Sequence, residues 1–321
     1  MNFDSNRIPL VVVVGPTASG KTGLSIELAK ILDGEIISAD SMQVYKGMNI
    51  GTAKPTKEEM QGVKHHLIDF LDPSQMFSVA DYVRLARECI KDIWCRGKVP
   101  ILVGGTGLYI DSLINNIDFC EEGVDLTLRD SLKERASKQG VESLLDELKE
   151  FDPVSAETLH PNNVKRIIRA IEVYKTTGMT ITEHNELSKN AQSPYDTIII
   201  GLNYNDRKIL YNRINYRVDK MIEQGLLEEA REVLNSPWST TAMGAIGYKE
   251  LAPFFESGRT LEESLDKLKQ STRRYAKRQL TWFKRNENIH WVYVDQYKSF
   301  QALIQKALGI INNSGLFNVN Y

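Results

Sequence analysis

Residues 15–22 form a glycine-rich segment of the kind that binds phosphate groups. Their sequence, Gly15-Pro16-Thr17-Ala18-Ser19-Gly20-Lys21-Thr22, fits the pattern G-x-x-x-x-G-K-[ST]. Glycine lets backbone N–H groups approach phosphate oxygens, lysine neutralises their charge, and the threonine hydroxyl can ligate Mg²⁺ near a helix N-terminus. The segment therefore predicts that a polyphosphate binds here, and it leaves open which one.

An acidic residue follows the second predicted strand, at Asp40. Because ligands of open α/β sheets bind outside the carboxyl ends of the strands, Asp40 is the candidate general base, with an N-cap as the alternative. The predicted strand 99–103 is followed by Gly104-Gly105-Thr106 and supplies no acid. The Asp that helps to hold Mg²⁺ in hydrolysing P-loop enzymes is therefore missing, which disfavours motors and switches. Thr106 lies at the same predicted rim, a position that is also typical of an N-cap.

Strands and helices alternate in the first third of the chain. Residues 10–14 are a β-branched apolar run typical of a buried parallel strand, and a helix is predicted to begin near Lys21. Residues 35–38, 99–103 and 197–202 are further predicted strands. The sequence therefore predicts an α/β fold, with a P-loop NTPase-like doubly wound parallel sheet as its core and an inserted helical domain.

The domain organisation follows from a change in composition after residue 117. Residues 118 to about 196 are rich in Lys and Glu, show helical periodicity and contain no convincing strand. A long amphipathic helix is predicted at 206–234, with Gly225 as a point of interruption. We expect four segments, namely the first part of the core at 1–117, the inserted helical domain at 118–196, the second part of the core with basic C-terminal helices at 197–310, and a flexible tail at 311–321.

Basic residues are concentrated in residues 271–285. This stretch holds six cations and no acid, with aromatic residues between them: Arg273, Arg274, Lys277, Arg278, Lys284 and Arg285, then Tyr275, Trp282 and Phe283. On a helix the cations suit RNA phosphates and the aromatic rings can stack on bases, while a solvated basic face is the alternative. The same two interpretations apply to a second cluster, Lys165, Arg166 and Arg169. Arg213 and Arg217 share a helical face and either bind one anion or pair with nearby acids.

The bulk composition bounds the class of protein. The 321 residues carry 40 Lys plus Arg against 42 Asp plus Glu, so no global basic excess marks a nucleic-acid partner. Three cysteines are too few for a disulfide framework, and no signal peptide or membrane span is evident. We expect a cytoplasmic, monomeric protein without a structural zinc site and without a membrane partner.

Further motifs accompany the phosphate-binding segment in a fixed order along nearly the whole chain. They are Ser38-Ala39-Asp40-Ser41, Tyr45-Lys46-Gly47-Met48 with Gly51-Thr52-Ala53-Lys54-Pro55, Gly104-Gly105-Thr106-Gly107-Leu108-Tyr109, His160-Pro161-Asn162-Asn163, Gly247-Tyr248-Lys249-Glu250, and Lys277-Arg278-Gln279-Leu280-Thr281-Trp282. In residue types and order they resemble the motifs of the bacterial-type tRNA dimethylallyltransferases, also called tRNA isopentenyltransferases. The chain departs from that pattern at Gly244-Ala245-Ile246, where some relatives carry Arg and Cys, and at Lys249, which replaces an Arg and acts as a point charge.

The resemblance implies a transfer reaction. It implies that the phosphate-binding segment holds dimethylallyl diphosphate through residues 17–22, with help from Arg217 and from Mg²⁺ on Thr22. It implies that Asp40 accepts a proton from N6 of an adenine next to the anticodon, with Lys21, Thr22 and Thr106 as the other catalytic residues. The resemblance also implies that the tRNA anticodon arm contacts Asp40, Ser41, Met42, Gln43, Thr106, Arg129, Lys165, Arg166, Arg169, Gly247, Tyr248, Lys249, Lys277, Arg278, Gln279, Trp282 and Lys284.

Two other functions explain part of the same residues. A P-loop kinase for a small metabolite would use the phosphate-binding segment and Asp40 in the same way, but it gives no role to the basic stretch or to the helical insertion. A non-catalytic RNA-binding protein with a relict P-loop is the third interpretation. Transfer of a γ-phosphate from ATP would identify the kinase, and release of diphosphate on mixing with tRNA would exclude the non-catalytic protein.

Overall fold

The computed structural model describes residues 7–117, 126–189, 192–256 and 258–317. The chain divides into two compact units, the core unit, made of Met1–Ile114 with Pro194–Tyr321, and the helical unit, Asn115–Ser193. The predicted insertion at 118–196 begins in residues 118–125, which lie outside the described residues, so its boundaries stay a prediction. Within the described ranges, no helix combines the length and the apolar character that crossing a membrane requires.

The strands described in the core unit form one parallel sheet. In chain order they are β1 (Ile8–Val14), β2 (Gly34–Ala39), β3 (His65–His66), β4 (Val99–Gly104), β5 (Tyr195–Asn203) and β6 (Ile289–Tyr293). Their order across the sheet is β3-β2-β4-β1-β5-β6, and each pairing is parallel. Because β4 fills the position between β1 and β2 and later strands extend the other side, the predicted doubly wound parallel sheet is confirmed.

The helices belong to both units, where some pack on the sheet and others form the helical unit. In chain order they are α1 (Lys21–Ile31), α2 (Lys57–Met60), α3 (Val79–Cys95), α4 (Gly107–Ile114), α5 (Leu126–Gln139), α6 (Glu142–Phe151), α7 (Pro153–Thr158), α8 (Val164–Thr177), α9 (Ile181–Lys189), α10 (Arg207–Glu223), α11 (Leu226–Asn235), α12 (Thr240–Met243), α13 (Tyr248–Glu256), α14 (Leu261–Phe283) and α15 (Phe300–Asn313), with a 3₁₀ turn at Val294–Gln296. Helices α5 to α9 belong to the helical unit and the others to the core unit.

The central position of β1 follows from its side chains. Residues 10–14 are apolar and fully buried, as expected for a parallel strand that helices cover on both faces. On one face, α1 and α15 contribute Leu28, Ile304 and Leu308 to the same apolar cluster. Because β1, β2 and β4 are parallel, their carboxyl ends lie at one edge of the sheet. The loops that carry the predicted site leave from that edge.

Two glycines allow close backbone contact at this edge. A Cβ atom on Gly104, at the end of β4, would lie 2.2 Å from the carbonyl oxygen of Ala39. Gly15, which follows β1, has a φ of +145°, and a Cβ there would lie 2.5 Å from the carbonyl oxygen of Leu202. Larger residues would push these segments apart, so Gly104 lets the end of β4 approach the end of β2, and Gly15 lets the loop after β1 approach β5.

Two predictions about the later part of the chain are answered by the structure. The long helix predicted at 206–234 is interrupted at Gly225, where a φ of +100° separates α10 from α11. The segment predicted to be a flexible tail from residue 311 includes the end of α15, which continues to Asn313, and both Ile311 and Phe317 are buried in the sheet cluster. Residues 318–321 lie outside the described residues.

Candidate active site

The phosphate loop, residues 15–22, joins β1 to α1. The Nζ atom of Lys21 donates hydrogen bonds to the carbonyl oxygens of Gly15, at 2.9 Å, and Pro16, at 2.8 Å, so its side chain folds back over the loop. Ser19 is 1% exposed, and its hydroxyl has no hydrogen-bond partner in the described part of the chain. The loop therefore presents a cation and an unused hydroxyl to any anion that enters.

Two partly buried cations, Lys21 and Arg217, lie beside this loop. Burial, and after it the positive charge of Arg217, lower the pKa of Lys21 from 10.5 to about 7, although the carboxylate of Asp40 acts to raise it. Burial also lowers the pKa of Arg217. Neither residue forms an ion pair with the described carboxylates, although Arg217 Nη1 lies 3.5 Å from Thr17 Oγ1. Because two partly buried cations without a close carboxylate partner are costly, the pair indicates an anion site.

Asp40 follows β2 at the edge of the sheet. Its Oδ1 atom accepts hydrogen bonds from the backbone N–H groups of Met42, at 2.9 Å, and Gln43, at 3.2 Å, which is the capping contact that the sequence offered as an alternative. No described residue donates a hydrogen bond to Oδ2. One oxygen therefore orients the carboxylate while the other is available to accept a proton, so the two interpretations of Asp40 are compatible.

Thr106 lies next to Asp40, as its predicted position at the rim implies. Its Oγ1 atom accepts a hydrogen bond of 3.1 Å from the backbone N–H of Ser41, and its own N–H donates to the carbonyl oxygen of Ala39 at 3.1 Å. The side chain of Tyr275 also contacts Thr106, and burial raises the pKa of that tyrosine. Thr106 thus fixes the turn that carries Asp40.

The side chain of Gln279 connects the phosphate loop to the loop after β4. Its Oε1 atom accepts a hydrogen bond of 2.8 Å from the N–H of Thr17, and its Nε2 atom donates one of 3.0 Å to the carbonyl oxygen of Gly105. Gln279 is 5% exposed. Predicted from the sequence as a tRNA contact, it is seen here to hold two loops of the site together.

A cavity of about 330 Å³ brings most of the predicted site together. Residues from the phosphate loop, the turn after β2, α10, the turn before α13 and α14 line it, among them Thr17, Lys21, Thr22, Asp40, Ser41, Met42, Gln43, Arg217, Gly247, Lys249, Arg278 and Gln279. A second cavity, of about 690 Å³, is lined by residues 18–22 of the phosphate loop among others. The two cavities share Lys21, Thr22, Ala53, Arg217 and Met221 as lining residues. The predicted anion site is thus reached from two cavities, one of which contains Asp40.

The basic stretch of the sequence forms the second half of α14 and the two residues that follow it. Arg274, Lys277, Arg278, Lys284 and Arg285 are exposed there, and we call them the basic face. The guanidinium group of Arg285 lies 4.7 Å from the ring centre of Trp282, whose Nε1 donates a 2.6 Å hydrogen bond to Asp111. Arg278 both belongs to this face and lines the cavity with Asp40. The basic face therefore reaches the rim of the cavity.

Several of the other predicted tRNA contacts lie in the helical unit. Lys165, Arg166, Arg169 and Arg129 belong to the helical unit, where the first two are exposed. Arg129 is held in a two-pronged ion pair with Glu172, at 2.5 and 2.7 Å, and that carboxylate is 3% exposed. Tyr248 is fully buried rather than open to the cavity. Their contact with tRNA stays a prediction.

Sequence reasoning missed several lining residues. Thr52, Ala53, Met221 and Thr272 line the smaller cavity, and none had been assigned a role. The Gly51-Thr52-Ala53 run was part of a recognised motif, which could have identified two of them. Met221 and Thr272 lie on amphipathic helices and carry no local signal that distinguishes them from packing residues.

The fold and the cavity together define a P-loop enzyme in which a phosphate loop and a carboxylate share one chamber beside a basic helix. The particular family is given by comparison with known proteins. The chain belongs to the IPP transferase family, since the model of that family matches residues 43–286. The resemblance seen in the sequence motifs is thereby confirmed.

Individual relatives agree with this family assignment. The tRNA dimethylallyltransferase of Thermoanaerobacter sp. (strain X514) is 51% identical over 299 residues, covering 92% of this chain and 95% of that protein. The tRNA dimethylallyltransferase of Acetivibrio thermocellus is 48% identical over 310 residues, covering 96% and 99%. The crystal structure of the tRNA isopentenylpyrophosphate transferase of Bacillus halodurans is 46% identical, covers 95% of this chain and 96% of that one, and gives a TM-score of 0.71. A eukaryotic dimethylallyltransferase acting on tRNA is 30% identical, covers 95% and 79%, and gives a TM-score of 0.82.

Proposed function

We propose that this protein transfers the dimethylallyl group of dimethylallyl diphosphate to N6 of an adenine next to the anticodon in tRNA, forming N6-isopentenyladenosine and releasing diphosphate. The observation that carries the proposal is that Lys21, Arg217 and Asp40 line one cavity. Prenyl transfer to an amine needs an anion site for the leaving group and a proton acceptor for the nucleophile. The relatives, which are tRNA dimethylallyltransferases, support the same reaction.

At the donor end, the phosphate loop binds the diphosphate. The larger cavity is lined by the cations Lys21, Lys54, Arg213, Arg217 and Lys220, with Glu59 as the acid among its lining residues. Such a cavity attracts a small anion and guides it to the loop. We propose that dimethylallyl diphosphate enters through this cavity and that the adenine enters through the cavity that contains Asp40.

At the acceptor end, Asp40 acts as the general base. The lone pair of N6 is delocalised into the adenine ring, so the amino group is a weak nucleophile until a proton is removed from it. As N6 forms a bond to C1 of the dimethylallyl group, the C1–O bond breaks, and its electron pair leaves with the diphosphate. Asp40 Oδ2 takes the N6 proton, a contribution of roughly 10²- to 10⁴-fold. Lys21 and Arg217 stabilise the charge on the departing diphosphate.

The residues present fit Mg²⁺ as the bound metal. Thr22 offers an exposed hydroxyl oxygen beside the phosphate loop, and Mg²⁺ prefers oxygen ligands. Among the described residues, no three acidic, His or Cys side chains lie close enough together to hold a metal ion. Mg²⁺ does not require such a group, because it keeps several waters and binds substrate phosphates. When bound, Mg²⁺ neutralises charge on the diphosphate, and Thr22 would hold it.

The target base must leave its stack to reach Asp40. Extrusion of a base costs a few kcal/mol and costs less in a loop than in a duplex, so the anticodon loop is a suitable substrate. The basic face of α14 binds the phosphates of the anticodon arm, and Lys165, Arg166 and Arg169 of the helical unit provide further phosphate contacts.

The experiment that tests the proposal is mass analysis of tRNA nucleosides. Unmodified tRNA is incubated with the protein, Mg²⁺ and dimethylallyl diphosphate, then digested to nucleosides. The expected product is an adenosine that carries one dimethylallyl group, with one diphosphate released for each. A parallel reaction with ATP tests the alternative, because a metabolite kinase would transfer the γ-phosphate. Absence of modified adenosine under conditions in which the protein binds tRNA would overturn the proposal.

A further inference from the structure

One segment of backbone contributes lining residues to both cavities. Gly51, Thr52 and Ala53 line the smaller cavity, while Asn49, Ile50 and Ala53 line the larger one. We call residues 49–53 the wall segment. It is a compact turn, since the N–H of Ala53 donates to the carbonyl oxygen of Ile50 at 2.9 Å. Whatever fixes this segment also fixes the boundary between the donor and acceptor sides of the site.

A single carboxylate, that of Glu229 in α11, holds the wall segment from behind. Glu229 Oε2 accepts hydrogen bonds of 2.9 Å from the N–H groups of both Asn49 and Ile50. Its Oε1 atom accepts one of 2.8 Å from the N–H of Gly51 and another of 2.8 Å from the hydroxyl of Tyr248. Three successive backbone N–H groups on one carboxylate form an anion nest, in which hydrogen bonds are strengthened by the charge.

Tyr248 closes the same contact from the other side. A Cβ atom on Gly51 would lie 2.7 Å from the ring of Tyr248, so the wall segment is packed directly on that ring. Burial, and after it the charge of Glu229, raise the pKa of Tyr248, which therefore stays a hydrogen-bond donor to the carboxylate. The wall segment is thus fixed by both hydrogen bonds and packing.

The front of the wall segment reaches the two groups that the proposed reaction uses. The carbonyl oxygen of Ala53 accepts hydrogen bonds from Arg217 Nη2, at 3.4 Å, and from Gln43 Nε2, at 3.1 Å. The backbone N–H of Gln43 in turn donates to Asp40 Oδ1 at 3.2 Å. Hydrogen bonds, joined by the covalent backbone of the wall segment and by Gln43, therefore connect Glu229 to Arg217 and to Asp40.

We infer that Glu229 is a positioning residue for the transfer reaction: it fixes the wall segment and, through Ala53, sets the position of Arg217. This inference rests on the proposed function, which assigns Arg217 to the diphosphate. Glu229 itself lines neither cavity. Its effect on diphosphate binding therefore passes through Arg217. A residue that only stabilises the fold would show no such dependence on Arg217.

The first test is binding of inorganic diphosphate to Glu229→Gln by calorimetry. The amide of glutamine turns an N–H donor toward at least one backbone N–H of the wall segment, so the nest is broken although the side chain has the same shape. We expect the affinity to fall about tenfold, the size expected for losing a charge-assisted hydrogen bond. Glu228→Gln is the matched control, because Glu228 is exposed and precedes Glu229 on the same helix. The control is expected to bind like the original chain.

The second test is a double-mutant cycle with Arg217→Lys. If Glu229 acts through Arg217, then Glu229→Gln will change diphosphate affinity much less in the Arg217→Lys background than in the original one. Equal effects in both backgrounds, or unchanged affinity of Glu229→Gln, would overturn the inference. Should Glu229→Gln fail to fold, Tyr248→Phe removes one hydrogen bond from the same carboxylate and is expected to weaken diphosphate binding about threefold. No change in that variant also contradicts the inference.

The outcome is separable from that of the proposed function. Inorganic diphosphate binding reports the arrangement of Arg217 and needs neither tRNA nor a prenyl donor. A chain that binds diphosphate and responds to Glu229→Gln as expected, yet forms no modified adenosine, refutes the proposed reaction and leaves the positioning role intact. A chain that modifies tRNA but tolerates Glu229→Gln refutes the positioning role alone.

Discussion

The amide of Gln279 lies 2.8 Å from the backbone nitrogen of Thr17 and so ties the middle of α14 to the phosphate loop. Its other end lies 3.0 Å from the carbonyl oxygen of Gly105, in the loop that leads to Thr106. A Cβ on Gly105 would lie 2.1 Å from that amide nitrogen, so the three elements meet without spare space. Helix α14, which carries the basic face, is therefore bonded both to the phosphate loop and to the loop that leads to Thr106.

Gln279→Leu removes both of these hydrogen bonds with little change in volume. It leaves the Thr17 N–H and the Gly105 carbonyl unpaired, at a cost of about 1–3 kcal/mol for each buried group. We expect the free energy of unfolding to fall by that order and the single-turnover rate to fall at least about tenfold. Urea unfolding and rapid-quench assays measure the two quantities. Gln270→Leu, elsewhere on α14, is the control, and a Gln279→Leu enzyme with the original rate would contradict the bridging role.

Asp40→Asn tests the base while keeping the turn. Asparagine retains an oxygen that can accept the hydrogen bonds from Met42 and Gln43, so the loop conformation is preserved. We expect kcat to fall about a hundredfold or more, with tRNA affinity nearly unchanged. Single-turnover kinetics and filter binding measure these values, and Asp266→Asn on the exposed side of α14 is the control. A near-normal single-turnover rate would remove Asp40 from this role.

The low pKa of Lys21 predicts how diphosphate binding depends on pH. In the folded protein the pKa of Lys21 is about 7, below its ordinary 10.5, so the free protein loses this charge as pH rises above 7. Diphosphate binds the charged form, and its affinity for the original chain is therefore expected to fall between pH 7 and 9. Arg is charged throughout this range, so the diphosphate affinity of the original chain, divided by that of Lys21→Arg, should decrease as pH rises from 7 to 9. A constant ratio in calorimetric titrations would show that Lys21 is charged throughout.

The same pKa shift has a consequence for stability. Because the pKa of Lys21 is lower in the folded chain than the 10.5 of the unfolded chain, its contribution to stability is present above pH 10.5 and is lost as pH falls through about 7. A bound diphosphate reverses this penalty, since it favours the charged lysine. Burial of Lys21 thus destabilises the protein without diphosphate and not the protein with diphosphate bound. Such a difference is typical of a ligand site.

Much of the core could be predicted from the sequence because its signals are local. The strands β1, β2, β4 and β5 are apolar runs, and the phosphate loop is a motif of eight consecutive residues. Strand β3 was missed since two residues are too short to show a period. Strand β6, Ile289–Tyr293, contains an exposed His and pairs on one side only, so it lacks the continuous apolar run of a central strand.

The parts of the site that escaped prediction depend on contacts between distant residues. Glu229 meets the wall segment across about 180 positions of the chain, and Gln279 meets Thr17 across 262. A glutamate on an amphipathic helix gives no sign, in the sequence alone, that its carboxylate will meet three backbone N–H groups. The tRNA contact of Arg129 was predicted from the family resemblance, yet its guanidinium group is engaged by a buried glutamate that the sequence did not connect with it.

The basic face of α14 predicts a salt-dependent contribution to tRNA binding. Arg274 and Lys277 are exposed on it and line neither cavity, so changing both to alanine removes phosphate contacts without altering the site. We expect tRNA affinity to fall about tenfold or more and the slope of log affinity against log salt to decrease by roughly 1.4, at about 0.7 for each lost contact to single-stranded RNA. The kcat value should not change. Filter binding at several salt concentrations provides the measurement, and an unchanged slope would assign the face to solvent.

Arg129 predicts a large effect on the stability of the helical unit. The Arg129 guanidinium donates two hydrogen bonds to Glu172, which is 3% exposed, so Arg129→Gln leaves a buried carboxylate without its main partner. We expect the free energy of unfolding to fall by about 3 kcal/mol, because breaking a buried pair from one side leaves an uncompensated charge. The double variant Arg129→Gln with Glu172→Gln should recover part of this loss, since no buried charge remains. Urea unfolding that shows equal losses for the single and the double variant would mean that the ion pair is not what Arg129 contributes.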